Sequence, residues 1–139
     1  MADDKVRFEV VTPARVQLAE DADLVVVPGG DGDFGILPGH APLLSTIRPG
    51  VLDVYEGDKI SRSLFVAGGF AEASAEGCTV LVEEAVPVED IDASRASERV
   101  DKAQQAVTDA SEDTKAAMEA KLAVAVAYLT AATGGSGRH

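Results

Sequence analysis

Residues 25–50 read VVVPGGDGDFGILPGHAPLLSTIRPG, and the chain is organised around this stretch. It contains four of the six prolines and six of the thirteen glycines. Each proline removes a backbone donor and fixes φ, and each glycine tolerates positive φ. A segment so rich in both cannot be helical, so it consists of short strands joined by specific turns. The short apolar segments of this stretch then need neighbouring strands to bury their side chains.

A GxGxxG pattern at residues 30–35 matches the dinucleotide-binding fingerprint and follows a strand-like run. That fingerprint requires a helix directly after it, because the helix N-terminus holds the pyrophosphate. Pro38 follows too soon for such a helix, and Asp31 and Asp33 inside the pattern would repel a phosphate. The pattern therefore predicts a glycine-rich β-turn rather than a nucleotide site.

Strand-like runs and turn signals alternate through the first 88 residues, at intervals of about ten residues. The first run alternates apolar Val6, Phe8 and Val10 with charged neighbours, which is typical of a half-buried strand. Outside the central stretch, strands are predicted at residues 5–11, 14–18, 51–55, 61–67, 70–73 and 79–82. Together with the short apolar segments of residues 25–50, these runs make about ten short strands, which indicates an antiparallel β-sandwich or flattened barrel.

The composition changes at Pro87, after which Ala, Glu, Lys and Gln dominate. These residues lose little entropy in a helix, and Asp90 and Asp92 stand where an N-cap and first-turn acids belong. Small apolar residues then recur at alternating spacings of four and three, at positions 96, 100, 103 and 107 and at positions 118, 122, 125, 129 and 132. Poor helix formers fill residues 108–114 between the two series. We therefore predict an antiparallel hairpin of two helices of about 17–20 residues, with one long helix as the alternative.

The predicted class is thus α+β, an N-terminal antiparallel sandwich followed by a C-terminal two-helix hairpin. The predicted boundaries are a sandwich domain at residues 1–88, a hairpin at residues 89–133 and a flexible tail at residues 134–139.

The formal charge of −12 and the pI near 4.4 argue against nucleic acid and against an anionic bilayer surface as partners. Cys78 is the lone cysteine, so it forms no internal disulfide, and we expect a packed, idle thiol. No apolar run approaches the length of a membrane span, and the short acidic N-terminus predicts no signal peptide.

The sequence contains no catalytic or metal-binding constellation. Its two histidines are His40, in the turn-rich stretch, and His139, in the tail. A single ordered histidine cannot form a typical zinc site. We expect the His40 ring to bond a neighbouring carbonyl, with an interface role as the alternative. Two function classes remain, an interaction subunit and a stand-alone nucleotide-binding or adaptor module.

Residues 32–44, GDFGILPGHAPLL, followed by Pro49-Gly50, resemble the signature of the ε subunit of F-type ATP synthases. FVAGGF at residues 65–70 and VLV at residues 80–82 are similar to the next landmarks of that family, at similar spacing. The resemblance covers the whole chain, β part first and helical part last.

This resemblance implies a non-catalytic rotor subunit that needs no cofactor. It would link the γ subunit to the membrane c ring, so that proton translocation is coupled to ATP synthesis, with transient contacts to α and β. It further implies a peripheral location on the cytoplasmic face of the inner (plasma) membrane. We expect no nucleic acid partner and no homo-oligomer.

Interface positions follow from the same resemblance. The ring-facing loop corresponds to residues 29–34, with Asp33 at the family's usual acidic position, and its predicted contact residues are Gly30, Asp31, Gly32, Asp33 and Phe34. An acidic loop tip suits a basic loop on the ring. The γ-facing positions correspond to Thr12, His40, Ala41 and Pro42.

A partial ATP motif opens the helical part. Ile91, Asp92, Arg95 and Ala96 match the I/L-D-x-x-R-A motif that binds ATP in some members of the family. Those members add a Glu where this chain has Val86, and arginines on the second helix where this chain has Val124 and Tyr128 or their neighbours. With half the site present, we expect no ATP binding at millimolar levels, and a helix start as the role of Asp92. The sparse charge of the second helix predicts weak or absent inhibition of ATP hydrolysis.

Overall fold

The structure, a computed structural model, describes residues 5–134 and divides the chain into two compact units, residues 1–87 and 88–139. In the described part of the first unit, residues 5–87, there are eight strands: β1 Val6–Val11, β2 Val16–Ala22, β3 Leu24–Gly29, β4 Gly32–Ile36, β5 Leu43–Ile47, β6 Gly50–Glu56, β7 Lys59–Ser74 and β8 Gly77–Pro87. The second contains a 3₁₀ turn, Val88–Asp90, and the helices α1 Ala93–Asp109 and α2 Lys115–Gly134.

The strands follow the order β2-β1-β8-β7-β5-β3-β4, with β6 pairing both β3 and β7. All neighbours are antiparallel except β1 and β8, which run parallel, with Phe8 opposite Cys78 and Val11 opposite Leu81. A parallel pair requires a long crossover connection, and here that connection consists of the six strands between β1 and β8. The result is a mixed β-sandwich.

Strand β7 forms the corner of the sandwich. Its first half pairs with β6, from Lys59 to Val66, and its second half pairs with β5, from Gly69 to Ala73. The partner changes at Gly68, which has a φ of 78°. Since glycine adopts positive φ without a steric cost, one continuous strand can serve both layers.

The core of this unit is aliphatic. Buried residues alternate with more exposed ones along β1, whereas residues 51–54 of β6 and 64–67 of β7 are buried without a break. The largest fully buried side chains include Phe8, Phe65, Ile36 and Leu52. Asp53 is also fully buried, and the hydroxyl of Ser63 donates a hydrogen bond to its carboxylate at 2.5 Å. A buried polar group requires such a partner.

The predicted fold class is confirmed, with two differences. The prediction of about ten short strands was wrong, because residues 61–67 and 70–73 belong to the single bent strand β7. The prediction of a purely antiparallel sheet was also wrong, because of the β1–β8 pair. Neither difference changes the architecture.

The C-terminal unit is a helical hairpin. Its helices contain 17 and 20 residues, and residues 110–114 between them are not helical, so the single long helix is excluded. Ala96 and Ala125, both in the predicted seams, are buried, and the guanidinium of Arg99 on α1 lies 4.8 Å from the ring centroid of Tyr128 on α2. Small seam residues let the two helices approach closely.

Helix α2 is long and apolar enough to cross a membrane by length and composition alone. The expectation that no segment approaches such a length was therefore wrong by this criterion. One such helix is only a weak indication of a membrane span, and α2 carries Lys115, Glu119 and Lys121 in its first two turns.

The predicted tail begins at Gly134, which is the last residue of α2, and residues 135–139 lie outside the described residues.

Candidate interaction surfaces

The hairpin turn between β3 and β4 carries the five residues predicted to face the ring. Gly30 and Asp31 form the turn, and Gly32, Asp33 and Phe34 begin β4. Asp31 and Gly32 are exposed, whereas Phe34 is half-buried against the core. The sequence predicted a glycine-rich β-turn over residues 30–35, whereas the structure confines the turn to Gly30 and Asp31 and places residues 32–36 in β4. No helix follows the turn. The GxGxxG pattern therefore lacks the helix N-terminus that a pyrophosphate needs.

Arg48 braces this turn, a role that the sequence did not reveal. Its Nη1–H donates to the carbonyl oxygen of Gly29 at 2.6 Å, and its Nη2 forms an ion pair with the carboxylate of Asp33. The backbone N–H of Arg48 also donates to the carbonyl of Pro28 at 2.9 Å. In the sequence, the one indication of this role was a single basic residue between a predicted strand and a Pro-Gly turn.

Thr12 lies in the turn after β1 and is 8% exposed. Its N–H donates to the carbonyl of Arg15 at 2.9 Å, and its hydroxyl accepts a long hydrogen bond from the amide of Gln17 at 3.5 Å. Thr12 lines an open apolar groove of about 320 Å³, whose other walls are Val11, Pro13, Gly68, Gly69, Phe70, Leu81, Val82 and Glu83. The hydroxyl is therefore part of a turn, and the groove beside it is the accessible feature.

An exposed apolar strip runs across the solvent-facing side of β5, β7, β8 and β1. We call it the outer face; Leu44, Thr46, Phe70, Leu81 and Val11 define it. Leu44 is 67% exposed, Phe70 42% and Leu81 37%. The strand register places Thr46, Phe70, Leu81 and Val11 side by side. Exposed large apolar side chains next to one another indicate an interaction surface.

His40, Ala41 and Pro42 belong to the loop between β4 and β5. The His40 N–H donates to the carbonyl of Leu37 at 3.2 Å, and its ring Nδ1–H donates to the carbonyl of Ala41. The expectation that this ring bonds a neighbouring carbonyl is confirmed. Ala41 and Pro42 are exposed, as is Leu37 before them.

The structure separates the predicted γ-facing positions from one another. Thr12 directly follows Val11, and Val11 lies in the same row across the sheet as Phe70 of β7. Pro42 directly precedes Leu43, and Leu43 pairs with Ala73, three residues further along β7. Three residues along a strand correspond to roughly 10 Å, and the three strand spacings between β1 and β5 add roughly 14 Å across the sheet. The outer face spans the distance between these positions, so the two are the ends of one strip rather than one local cluster.

The partial ATP motif forms the start of α1. The carboxylate of Asp92 accepts a hydrogen bond from the backbone N–H of Arg95 at 3.1 Å, and Asp92 is the N-cap, as its position predicted. Ala96 is buried, and the Arg95 side chain is exposed. Val124 and Tyr128, on α2, supply no positive charge. One oxygen of the carboxylate that the motif would offer, Oδ1 of Asp92, thus satisfies the helix terminus.

Two further groups bear on chemistry. Burial raises the pKa of the Cys78 thiol to about 12, which keeps it protonated and unreactive at neutral pH. Across residues 5–134, no three His, Cys, Asp or Glu side chains are grouped so that they could hold a metal ion.

Comparison with known proteins identifies the family. Residues 5–88 match the family model described as ATP synthase, Delta/Epsilon chain, beta-sandwich domain. A protein of Paramagnetospirillum magneticum, named ATP synthase epsilon chain, is 46% identical over 129 residues, which are 93% of this chain and 97% of that protein. The chain belongs to the family of ATP synthase epsilon chains. A relative of the same name from Rhodospirillum rubrum is 44% identical over 91% of this chain and 96% of its own length.

Solved structures share the epsilon fold. A chain of the Euglena gracilis mitochondrial ATP synthase, in a structure titled OSCP/F1/c-ring in rotational state 1, superposes with a TM-score of 0.76 at 24% identity and covers 89% of this chain and 79% of that one. A chain of the Tetrahymena thermophila mitochondrial ATP synthase, titled central stalk/c-ring, gives 0.64 at 14% identity over 94% and 98%. At these identities the likeness establishes the sandwich and hairpin of the epsilon family.

Proposed function

We propose that this chain is a non-catalytic subunit of the ATP synthase central stalk, which joins the γ subunit to the membrane c ring and turns with them. Proton flow through the ring would then be coupled to ATP synthesis at sites on other subunits. The chain would be peripheral, on the cytoplasmic face of the inner (plasma) membrane, and held there by the complex.

One observation carries the proposal: the sandwich offers two chemically different exposed surfaces. The β3–β4 turn presents an acidic, glycine-rich tip, and the outer face presents apolar side chains. A subunit that connects two different partners needs two such surfaces. We assign the turn, residues 30–34, to the ring. We assign the outer face, with Thr12 at one end and His40, Ala41 and Pro42 at the other, to γ.

The ring contact is tested by adding bulk at the tip. Asp31→Trp enlarges an exposed side chain without removing a partner of Arg48. We expect a reconstituted complex with this variant to hydrolyse ATP while it pumps protons at less than about half the normal rate, because the rotor contact no longer closes. Asp58→Trp, in the exposed turn between β6 and β7, is the matched control. Normal pumping by the Asp31→Trp complex would exclude the turn as the ring contact.

The γ contact is tested on one strand. Phe70→Glu places a charge on the outer face, whereas Ile60→Glu does so at the other end of β7, and the two side chains are 42% and 41% exposed. Loss of a central aromatic contact typically costs 2 kcal/mol or more, so we expect Phe70→Glu to weaken binding to purified γ at least about tenfold. Equal affinities for the two variants would refute this assignment.

The stand-alone nucleotide-binding module finds no support in the geometry. The glycine pattern is a β-hairpin turn, and Asp92 caps a helix. We further propose that the helical hairpin inhibits ATP hydrolysis weakly or not at all.

A further inference from the structure

Arg48 connects the two sides of the β3–β4 turn. Its guanidinium reaches the carbonyl of Gly29, the last residue of β3, and the carboxylate of Asp33, the second residue of β4. Fifteen residues separate Arg48 from Asp33 in sequence. A planar guanidinium that bonds two groups at once fixes both distance and orientation. The turn is therefore bracketed by one side chain that belongs to neither of its strands.

The same turn is closely packed on its inner side. A Cβ added to Gly29 would lie 2.7 Å from the ring of Phe34, and one added to Gly30 would lie 2.3 Å from the hydroxyl oxygen of Thr46. The N–H of Gly30 also donates to the carbonyl of Thr46 at 2.9 Å. The contacts of Gly30 seat the turn against Thr46 of β5, and the ring of Phe34 on β4 occupies the space beside Gly29.

The outer side of the turn is open. A Cβ added to Gly32 would have no neighbour within 4 Å, and Asp31 is exposed. Of the two carboxylates, Asp33 is engaged by Arg48, whereas Asp31 forms no ion pair within the part of the chain that the structure describes. The charges of Arg48 and Asp33 offset each other, so the tip presents the single negative charge of Asp31.

We propose that Arg48 is a positioning residue that holds this turn ready for its partner, and that Asp31, rather than Asp33, is the carboxylate offered to a cationic loop on that partner. The inference rests on the proposed ring contact and names its chemistry. A turn that is already ordered loses less conformational entropy on binding. A single exposed charge at the tip mainly accelerates encounter and makes it sensitive to salt.

The first experiment uses the full chain alone. Backbone ¹⁵N relaxation of residues 30–34 is compared for the native chain, for Arg48→Gln and for the control Arg62→Gln. Arg62 is another exposed arginine in an ion pair, with Glu20 at 2.9 Å. We expect Arg48→Gln to lower the order parameters of the turn from about 0.85 to below about 0.7, and the control to leave them unchanged. Unchanged order in Arg48→Gln would overturn the positioning role.

The second experiment uses the central stalk, with this chain bound to γ, and the detergent-purified c ring of the same synthase. The double variant Arg48→Gln/Asp33→Asn removes the ion pair between these two residues but keeps the net charge of the turn. Asp31→Asn removes the charge at the tip and keeps that ion pair. We expect the double variant to bind about three- to tenfold more weakly with its salt dependence intact, because only pre-organisation is lost. We expect Asp31→Asn to bind about two- to fivefold more weakly at low salt, and with less salt dependence.

The outcomes are distinguishable. Full salt dependence in Asp31→Asn would overturn the choice of Asp31 while leaving the ring contact standing. Native affinity in both variants, together with a loosened turn in the relaxation data, would overturn the ring contact itself and with it this inference.

Discussion

At the residue scale, Gly69 shows how closely two strands can approach when one residue has no side chain. A Cβ built on Gly69 would lie 1.8 Å from the carbonyl oxygen of Leu81 on β8, so an alanine there must push the β7 and β8 backbones apart. We expect Gly69→Ala to lower the free energy of unfolding by about 2–3 kcal/mol, as overpacking does.

The matched control for Gly69 is Gly35→Ala on β4. Its Cβ would meet only the end of the Leu24 side chain, at 3.1 Å, which can move. We expect a change within about 0.5 kcal/mol there. Urea unfolding of both variants compares their stabilities. Similar midpoints for the two would show that the β8 backbone moves away at little cost in free energy.

Asp23 ties three parts of the sandwich domain together. Its carboxylate accepts a hydrogen bond from the ammonium of Lys5 at 2.5 Å and another from the backbone N–H of Gly57 at 2.6 Å. The Lys5 bond first, and the Gly57 bond second, hold the pKa of Asp23 below its ordinary value. Because the pKa is lower in the folded state, this contribution to stability is present above the unfolded pKa and is lost as the pH falls through the folded one.

The acid limb of the stability curve tests Asp23. We expect Asp23→Asn to flatten the fall in unfolding free energy below about pH 4, which is the ordinary range of an aspartate. Urea unfolding at a series of pH values gives the curve. Asp58→Asn, in the adjoining exposed turn, is the control, and we expect it to leave the dependence of unfolding free energy on pH unchanged. An unchanged dependence in Asp23→Asn would contradict a stabilising role for its hydrogen bonds.

At the scale of elements, Asp92 defines where α1 begins. Its side chain satisfies the N–H of Arg95, one of the donors that every helix start leaves unpaired. We expect Asp92→Ala to destabilise the first turn of α1 by about 1 kcal/mol. Amide hydrogen exchange of residues 93–97 measures this directly. Asp90→Ala, two residues earlier in the 3₁₀ turn, is the control, and equal protection in the two variants would mean that the cap contributes nothing.

At the scale of the whole molecule, the sandwich domain has its own core. Every residue of the main buried cluster comes from residues 6–85, within the first compact unit. A unit with its own core can fold by itself. We expect a chain that ends at Val88 to give dispersed amide signals and a cooperative unfolding transition. Collapsed, poorly dispersed signals would show that this boundary cuts into the core.

The helical hairpin offers little charge with which to act as an inhibitor. Residues 114–133 contain Lys115, Lys121 and Glu119, and residues 122–133 contain no charged side chain. One exposed ion pair contributes about 0–1 kcal/mol, whereas moving a two-state equilibrium from one form to the other requires about 5.5 kcal/mol of differential binding.

Truncation tests this proposal in the assembled synthase. We expect removal of all residues after Asp90 to change ATP hydrolysis by less than about twofold, because two lysines cannot hold an inhibitory position. The full-length complex, prepared in parallel, is the reference. A several-fold rise would mean that apolar contacts from Leu122 to Leu129 provide the holding energy instead.

Short-range sequence signals are enough to predict the local structure of this chain. Turn chemistry placed the β3–β4 hairpin, the 3.6-residue period placed both helices, and Asp92 marked the start of α1. These features depend on neighbours within a few residues, whose conformational preferences do not require the rest of the molecule.

The features that join distant residues depend on how the whole domain packs. The parallel pairing of β1 with β8 connects positions 70 residues apart, such as Phe8 and Cys78. The close approach at Gly69 and the bracket from Arg48 to Asp33 depend in turn on which strands lie side by side. Strand pairing is set by the packing of the common core and by the register of every intervening strand. For that reason the turn was visible in the sequence, whereas the residue that holds it was not.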